Sequence, residues 1–78
     1  MFQIFYNRTT NHIDGLAIRT EGSDFNYSLS HCPALSRNAS RMGRGDKSED
    51  LAKILRWARI DRKLCKSCEA AAQAQLNA

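Results

Sequence analysis

A C-x-x-C step, Cys65-Lys66-Ser67-Cys68, runs directly into Glu69-Ala70-Ala71-Ala72-Gln73-Ala74-Gln75-Leu76. Alanine, glutamate, glutamine and leucine are strong helix formers, so the sequence places two thiols at the mouth of a helix, over about Lys66 to Leu76. Two intervening residues let both sulfurs reach one metal ion. Free N–H groups and the positive end of the helix dipole favour the thiolate form there. Lys63 and Lys66 act in the same direction. A third cysteine, Cys32, lies between His31 and Pro33, and the second of the two histidines is His12.

Structural zinc takes four Cys or His ligands in a tetrahedron. The sequence therefore predicts a Zn2+ site built from Cys32, Cys65 and Cys68 with one histidine, either His12 or His31. In an up-down-up meander the loop after the first strand and the end of the third lie at one end of the sheet, which brings His12 near Cys32. His31 instead shares the parity of Phe25, Tyr27 and Leu29 and joins Cys32 on one ion if the chain bends at Pro33. Both alternatives stand on the sequence.

A chain of 78 residues makes a single small domain over 1–78 that buries roughly 60–65% of its unfolded surface. Such scaffolds often add a metal or disulfides. Three cysteines is an odd number for a disulfide framework, and the N-terminus has neither the basic region nor the apolar stretch of a secretory signal. These features predict a cytoplasmic location, where cysteines serve more often as metal ligands. No apolar run approaches the about 18 residues of a membrane-spanning helix.

Along the chain, residues 2–7 alternate as a strand, with Phe2, Ile4 and Tyr6 toward the core and Phe5 toward the open face. Asn11, Asp14 and Gly15 mark a turn over 8–15. Residues 16–20 and 25–30 read as two further strands, and Pro33 ends the sheet. Residues 36–47 are polar and basic, and predict a flexible surface loop, with a short helical turn near Ala34–Ala39. A helix then begins near Asp46, with Glu49 completing a capping box. Its apolar stripe is Leu51, Ile54, Leu55 and Ala58. The predicted fold is α+β: a three-stranded antiparallel β-meander followed by two α-helices, stapled by zinc.

Other chemistry finds little support. A thioredoxin-type redox pair follows a strand in a βαβ setting, whereas this C-x-x-C follows a helix. Gly43-Arg44-Gly45 is too short for a phosphate loop. A zinc deaminase needs His-x-Glu, which is absent. A zinc nuclease of the His-Asn-His kind needs catalytic histidines beyond those the metal takes. The expectation is a non-enzymatic binding module with no small-molecule substrate.

The formal net charge is +4. Arg37, Arg41, Arg44, Lys53, Arg56, Arg59, Arg62 and Lys63 crowd the second half of the chain. They predict contact with nucleic acid phosphates or, alternatively, an acidic host protein that the chain inhibits or adapts.

The stretch Ser30 to Ala70 resembles small zinc-binding proteins of tailed bacteriophages. In these a Cys-x-x-Leu segment precedes an amphipathic helix and a basic Arg-Lys-x-Cys-x-x-Cys end. It is similar also to treble-clef domains, a zinc-finger class in which the second cysteine pair opens the C-terminal helix. The matching positions are Cys32, Leu35, Arg62, Lys63, Cys65 and Cys68, about half of the chain. Those domains often carry a histidine a few residues ahead of the first cysteine, where this chain has Ser28, with His31 adjacent to the cysteine instead. The resemblance implies a small phage accessory protein working inside a bacterial host cell.

Overall fold

The structure is a computed structural model that describes residues 1–16 and 32–77. Its elements in chain order are β1 (Phe2–Tyr6), β2 (Thr10–Asp14), α1 (Pro33–Asn38), a 3₁₀ turn (Ala39–Arg41), β3 (Gly43–Ser48), α2 (Leu51–Ala58), β4 (Lys63–Leu64) and α3 (Lys66–Leu76). The class is α+β, as the sequence predicts. The sheet is not a three-stranded antiparallel meander, however. It has four strands in the order β3-β1-β2-β4, with β1 antiparallel to both neighbours and β4 parallel to β2. Of the strands predicted over 16–20 and 25–30, only Leu16 is described, in no strand, and the rest lies outside the described residues.

The first correction follows from one side chain. Asn7 Oδ1 accepts hydrogen bonds from the backbone N–H of Thr9 at 3.0 Å and of Thr10 at 2.8 Å. The Asn7 N–H in turn donates to the Thr10 carbonyl at 3.0 Å. This asparagine-driven turn closes the hairpin after Tyr6, so 10–14 continues as a strand rather than a turn. Gly15 then ends β2 at φ +96°, and a Cβ there would lie 2.5 Å from the Met1 carbonyl oxygen.

The second correction concerns residues 36–47, predicted as a flexible basic loop. The end of α1, the 3₁₀ turn and most of β3 occupy them. Gly-Arg-Gly-Asp-Lys-Ser has little strand propensity, but tertiary pairing with β1 overrides it at the edge of the sheet. Gly43 stands opposite Tyr6, whose ring fills the space a Cβ would need. The register shifts between Gln3 and Phe5, so Ile4 faces both Gly45 and Asp46 in a bulge.

Because β3 runs to Ser48, α2 starts later than Asp46. Asp50 is its N-cap, accepting from the Lys53 N–H at 3.3 Å, and Ser48 Oγ accepts from the Asp50 N–H at 3.0 Å. Leu51, Ile54, Leu55 and Ala58 are buried, as their spacing predicts. α2 packs against β1, β2, β3 and α3.

Residues opposite one another in an antiparallel pair share a face. Ile4 pairs with Ile13 and Tyr6 with Asn11, whereas Phe5 pairs with His12. Both faces are covered. Phe5, predicted on an open face, is 7% exposed and joins the core with Ile4, Ile13, Leu16, Leu35 and Ile54.

Candidate metal centre

β4 brings the C-x-x-C step to the sheet. Its parallel register sets Asn11 beside Leu64, and the Cys65 N–H donates to the Asn11 carbonyl at 2.9 Å. Cys65 is the N-cap of α3, and Cys68 sits one turn in with its side chain fully buried. On the sheet, His12 is the neighbour of Asn11 and is buried on the Phe5 face. Cys32 is the N-cap of α1, with Pro33 as the first helical residue. Proline at that position lacks only an N–H that has no intrahelical partner anyway, so the cap is locally favoured.

These placements gather four donor atoms. Cys32 Sγ lies 3.4 Å from His12 Nδ1 and 3.7 Å from Cys65 Sγ, and Cys68 Sγ lies 3.8 Å from His12 Nδ1. All four ligand atoms fall within 4.8 Å of one another, close enough to hold one metal ion. No disulfide joins the three cysteines.

The electrostatics of the cluster differ from one group to the next. Burial holds the His12 imidazole below its ordinary pKa, which keeps it neutral with a lone pair to offer. Burial also pushes the Cys65 thiol up. The backbone N–H of Cys68, the Cys32 side chain and the backbone N–H of Ser67 outweigh that, so its net displacement is downward. No side-chain cap hydrogen bond closes α3, which leaves the N–H groups of its first turn directed at this sulfur. Cys68 is displaced strongly upward by burial and by the neighbouring Cys32 and Cys65 charges. Cys65 and Cys68 are thus displaced in opposite directions, because like charges in a buried site oppose one another. A metal ion held by the four groups would relieve that conflict by taking the thiolates.

Of the five metal-ligand candidates, the structure thus brings His12, Cys32, Cys65 and Cys68 together, and His31 lies outside the described residues. His12 arrives by a different route from the one the sequence suggests, on a strand rather than in a loop. Asn11, which ties the sheet to the C-x-x-C step through its carbonyl, is not singled out by residue type. The signal that marks it is the hairpin turn at Asn7, from which its inward position follows.

The basic residues fall into two groups. Arg37, Arg41, Arg56 and Lys63 are exposed. Others are engaged within the chain: Arg59 with Glu69 at 2.8 Å and Arg62 with Asp61 at 3.0 Å. Arg44, Lys53 and Arg62 lie over the rings of Phe5, Trp57 and Tyr6 respectively. Among the described residues, no helix is long and apolar enough to cross a membrane.

Comparison of the chain with protein-family models, with curated proteins and with solved structures found no match.

Proposed function

We propose that His12, Cys32, Cys65 and Cys68 bind one structural zinc ion, and that the chain is a non-enzymatic binding module contacting nucleic acid through its basic second half. The spacing of the donor atoms carries the zinc reading. A tetrahedron with Zn–S of about 2.3 Å and Zn–N of about 2.0 Å has sulfur–sulfur edges of about 3.8 Å and sulfur–nitrogen edges of about 3.5 Å. The corresponding separations here are 3.7 Å for the sulfur pair and 3.4 and 3.8 Å for the sulfur–nitrogen pairs. Three soft thiolates with one imidazole suit zinc, and four protein ligands leave no open position for substrate water. That closed set supports a structural rather than a catalytic metal.

Zinc binding of this type supplies on the order of 10 kcal/mol or more of folding free energy. The total stability of a domain is of order 5–15 kcal/mol. The ion therefore decides whether the chain folds. The nucleic-acid reading rests on the net charge of +4, on the exposed Arg37, Arg41, Arg56 and Lys63, and on Arg44, Lys53 and Arg59, which are exposed as well as engaged within the chain. The reading as a phage accessory protein, acting in the cytoplasm of a bacterial host, rests on the resemblance of Ser30 to Ala70. The test is a titration of duplex and single-stranded DNA into the zinc-loaded chain at several salt concentrations. Each phosphate contacted steepens the log–log salt dependence of binding by about 0.7–0.9. A flat dependence, or no binding at low salt, removes the nucleic-acid reading.

A host protein that the chain inhibits or adapts is the second reading, and a cleft lined by Tyr6, Trp57, Asp46 and Asp61 favours it.

A further inference from the structure

On the Ile4 face of the sheet, beside the C-terminal end of α2, lies a cleft of about 440 Å³. Tyr6 and Trp57 form aromatic walls, and Asn11, Asp46, Asp61 and Arg62 supply its polar lining. The bulge in β3 opposite Ile4 is what brings Asp46 to this edge.

The cleft is rich in acceptors. Asn11 is 2% exposed, and its Nδ2 donates to the Ala58 carbonyl at 2.9 Å and to Asp61 Oδ1 at 3.2 Å. Both partners are acceptors, which fixes the amide orientation and leaves Asn11 Oδ1 as a buried oxygen without a hydrogen-bond donor. A buried acceptor left unpaired is costly and calls for a donor. The Asp46 carboxylate stands with it, while both Asp61 oxygens already accept from Asn11 and Arg62, so an occupant must bring N–H groups and no negative charge. With Asp46, Asp61 and Arg62 the lining carries one net negative charge, on a chain whose overall charge is +4. A phosphate is disfavoured there.

The chain itself shows which group suits these walls. The Arg62 guanidinium lies 4.5 Å from the centroid of the Tyr6 ring and donates to Asp61 Oδ2 at 3.0 Å. A planar guanidinium stacks on aromatic rings, presents five donors in a fork and pairs with carboxylates, combining properties that lysine lacks. We propose that the cleft binds an arginine side chain presented by a partner polypeptide, stacked on the Trp57 face opposite Lys53 while Arg62 keeps the Tyr6 face, and hydrogen-bonded to Asp46 and Asn11. The occupant's contacts, to Asp46, Asn11 and Trp57, use none of the metal ligands and none of the basic residues, so the proposal does not depend on the nucleic-acid reading.

Trp57 is the chain's single tryptophan, so its emission reports on the cleft. The zinc-loaded full chain is titrated with acetyl-Gly-Arg-Gly-amide, with the same tripeptide carrying citrulline, which keeps the shape and loses the charge, and with a single-stranded oligonucleotide. The expected result is a saturable change with the arginine peptide and binding at least about tenfold weaker with citrulline. Asp46→Asn, at an exposed position on the edge strand, is expected to weaken the arginine peptide to a similar degree with the far-UV spectrum unchanged. Equal responses to arginine and citrulline, no saturable response, or an oligonucleotide that displaces the arginine peptide would each overturn the proposal. The citrulline comparison stands even if the variant fails to fold.

Discussion

The carbonyl of Asn11 accepts the backbone N–H of Cys65 at 2.9 Å, while the Asn11 side chain holds the Ala58 carbonyl at the end of α2. One residue thus joins the sheet, the second helix and the first thiol of the C-x-x-C step. Asn11→Ala removes the donor to Ala58 and leaves a buried carbonyl short of a partner, at a cost of about 1–3 kcal/mol. Denaturant unfolding of the zinc-loaded protein is expected to show that loss. Zinc content should be retained, because the Cys65 contact is made by the backbone.

Core and surface apolar residues separate sharply between α2 and the turn that follows it. Ile54 is fully buried, whereas Ile60 is 73% exposed. Ile54→Ala is expected to destabilise by about 2–5 kcal/mol. Ile60→Ala should stay within about 0.5 kcal/mol. Equal losses for the two would mean that α2 packs through a different face.

Gly15 is held at φ +96° against the Met1 carbonyl. Gly15→Ala places a methyl group in a left-handed conformation and in contact with backbone, so a loss of more than about 1 kcal/mol is expected. A midpoint shift in chemical denaturation without a change in slope checks this.

Metal affinity should fall as the solution is acidified. In this fold burial holds the Cys68 proton firmly, and a bound metal would have to expel it. His12 has the opposite sign: its folded-state pKa lies below the ordinary value of about 6.5, so it is already neutral above that pH. Below about pH 6.5 the unfolded chain takes up a proton on His12 that the folded chain refuses, and stability declines as pH falls. Competition with a chromophoric chelator between about pH 8 and 6 should show affinity dropping by up to about tenfold per pH unit for each proton released.

The parts of this fold that were legible in the sequence are those where local chemistry and tertiary structure agree. α3 runs over Lys66–Leu76 because its residues favour helix and a thiol pair opens it. The α2 stripe of Leu51, Ile54, Leu55 and Ala58 is buried as its spacing requires. β3 was not legible, since Gly43–Ser48 carries no apolar alternation and is a strand only because β1 offers it an edge. Asn11 and Asp14 have turn chemistry but lie in β2, because Asn7 had already turned the chain. At the metal centre three sulfurs followed from spacing and residue type. The choice of His12 needed the register of β2 against β1 and β4, which residue parity alone does not supply.

The central claim is that one zinc ion gathers His12 and three cysteines. Elemental analysis of the purified chain, repeated on His12→Ala, Cys32→Ser, Cys65→Ser and Cys68→Ser, tests it most directly. The account predicts one zinc per chain in the parent protein, with loss of metal or of cooperative folding in every variant. A folded parent protein carrying no zinc, or a His12→Ala variant that keeps full zinc and full stability, would contradict it.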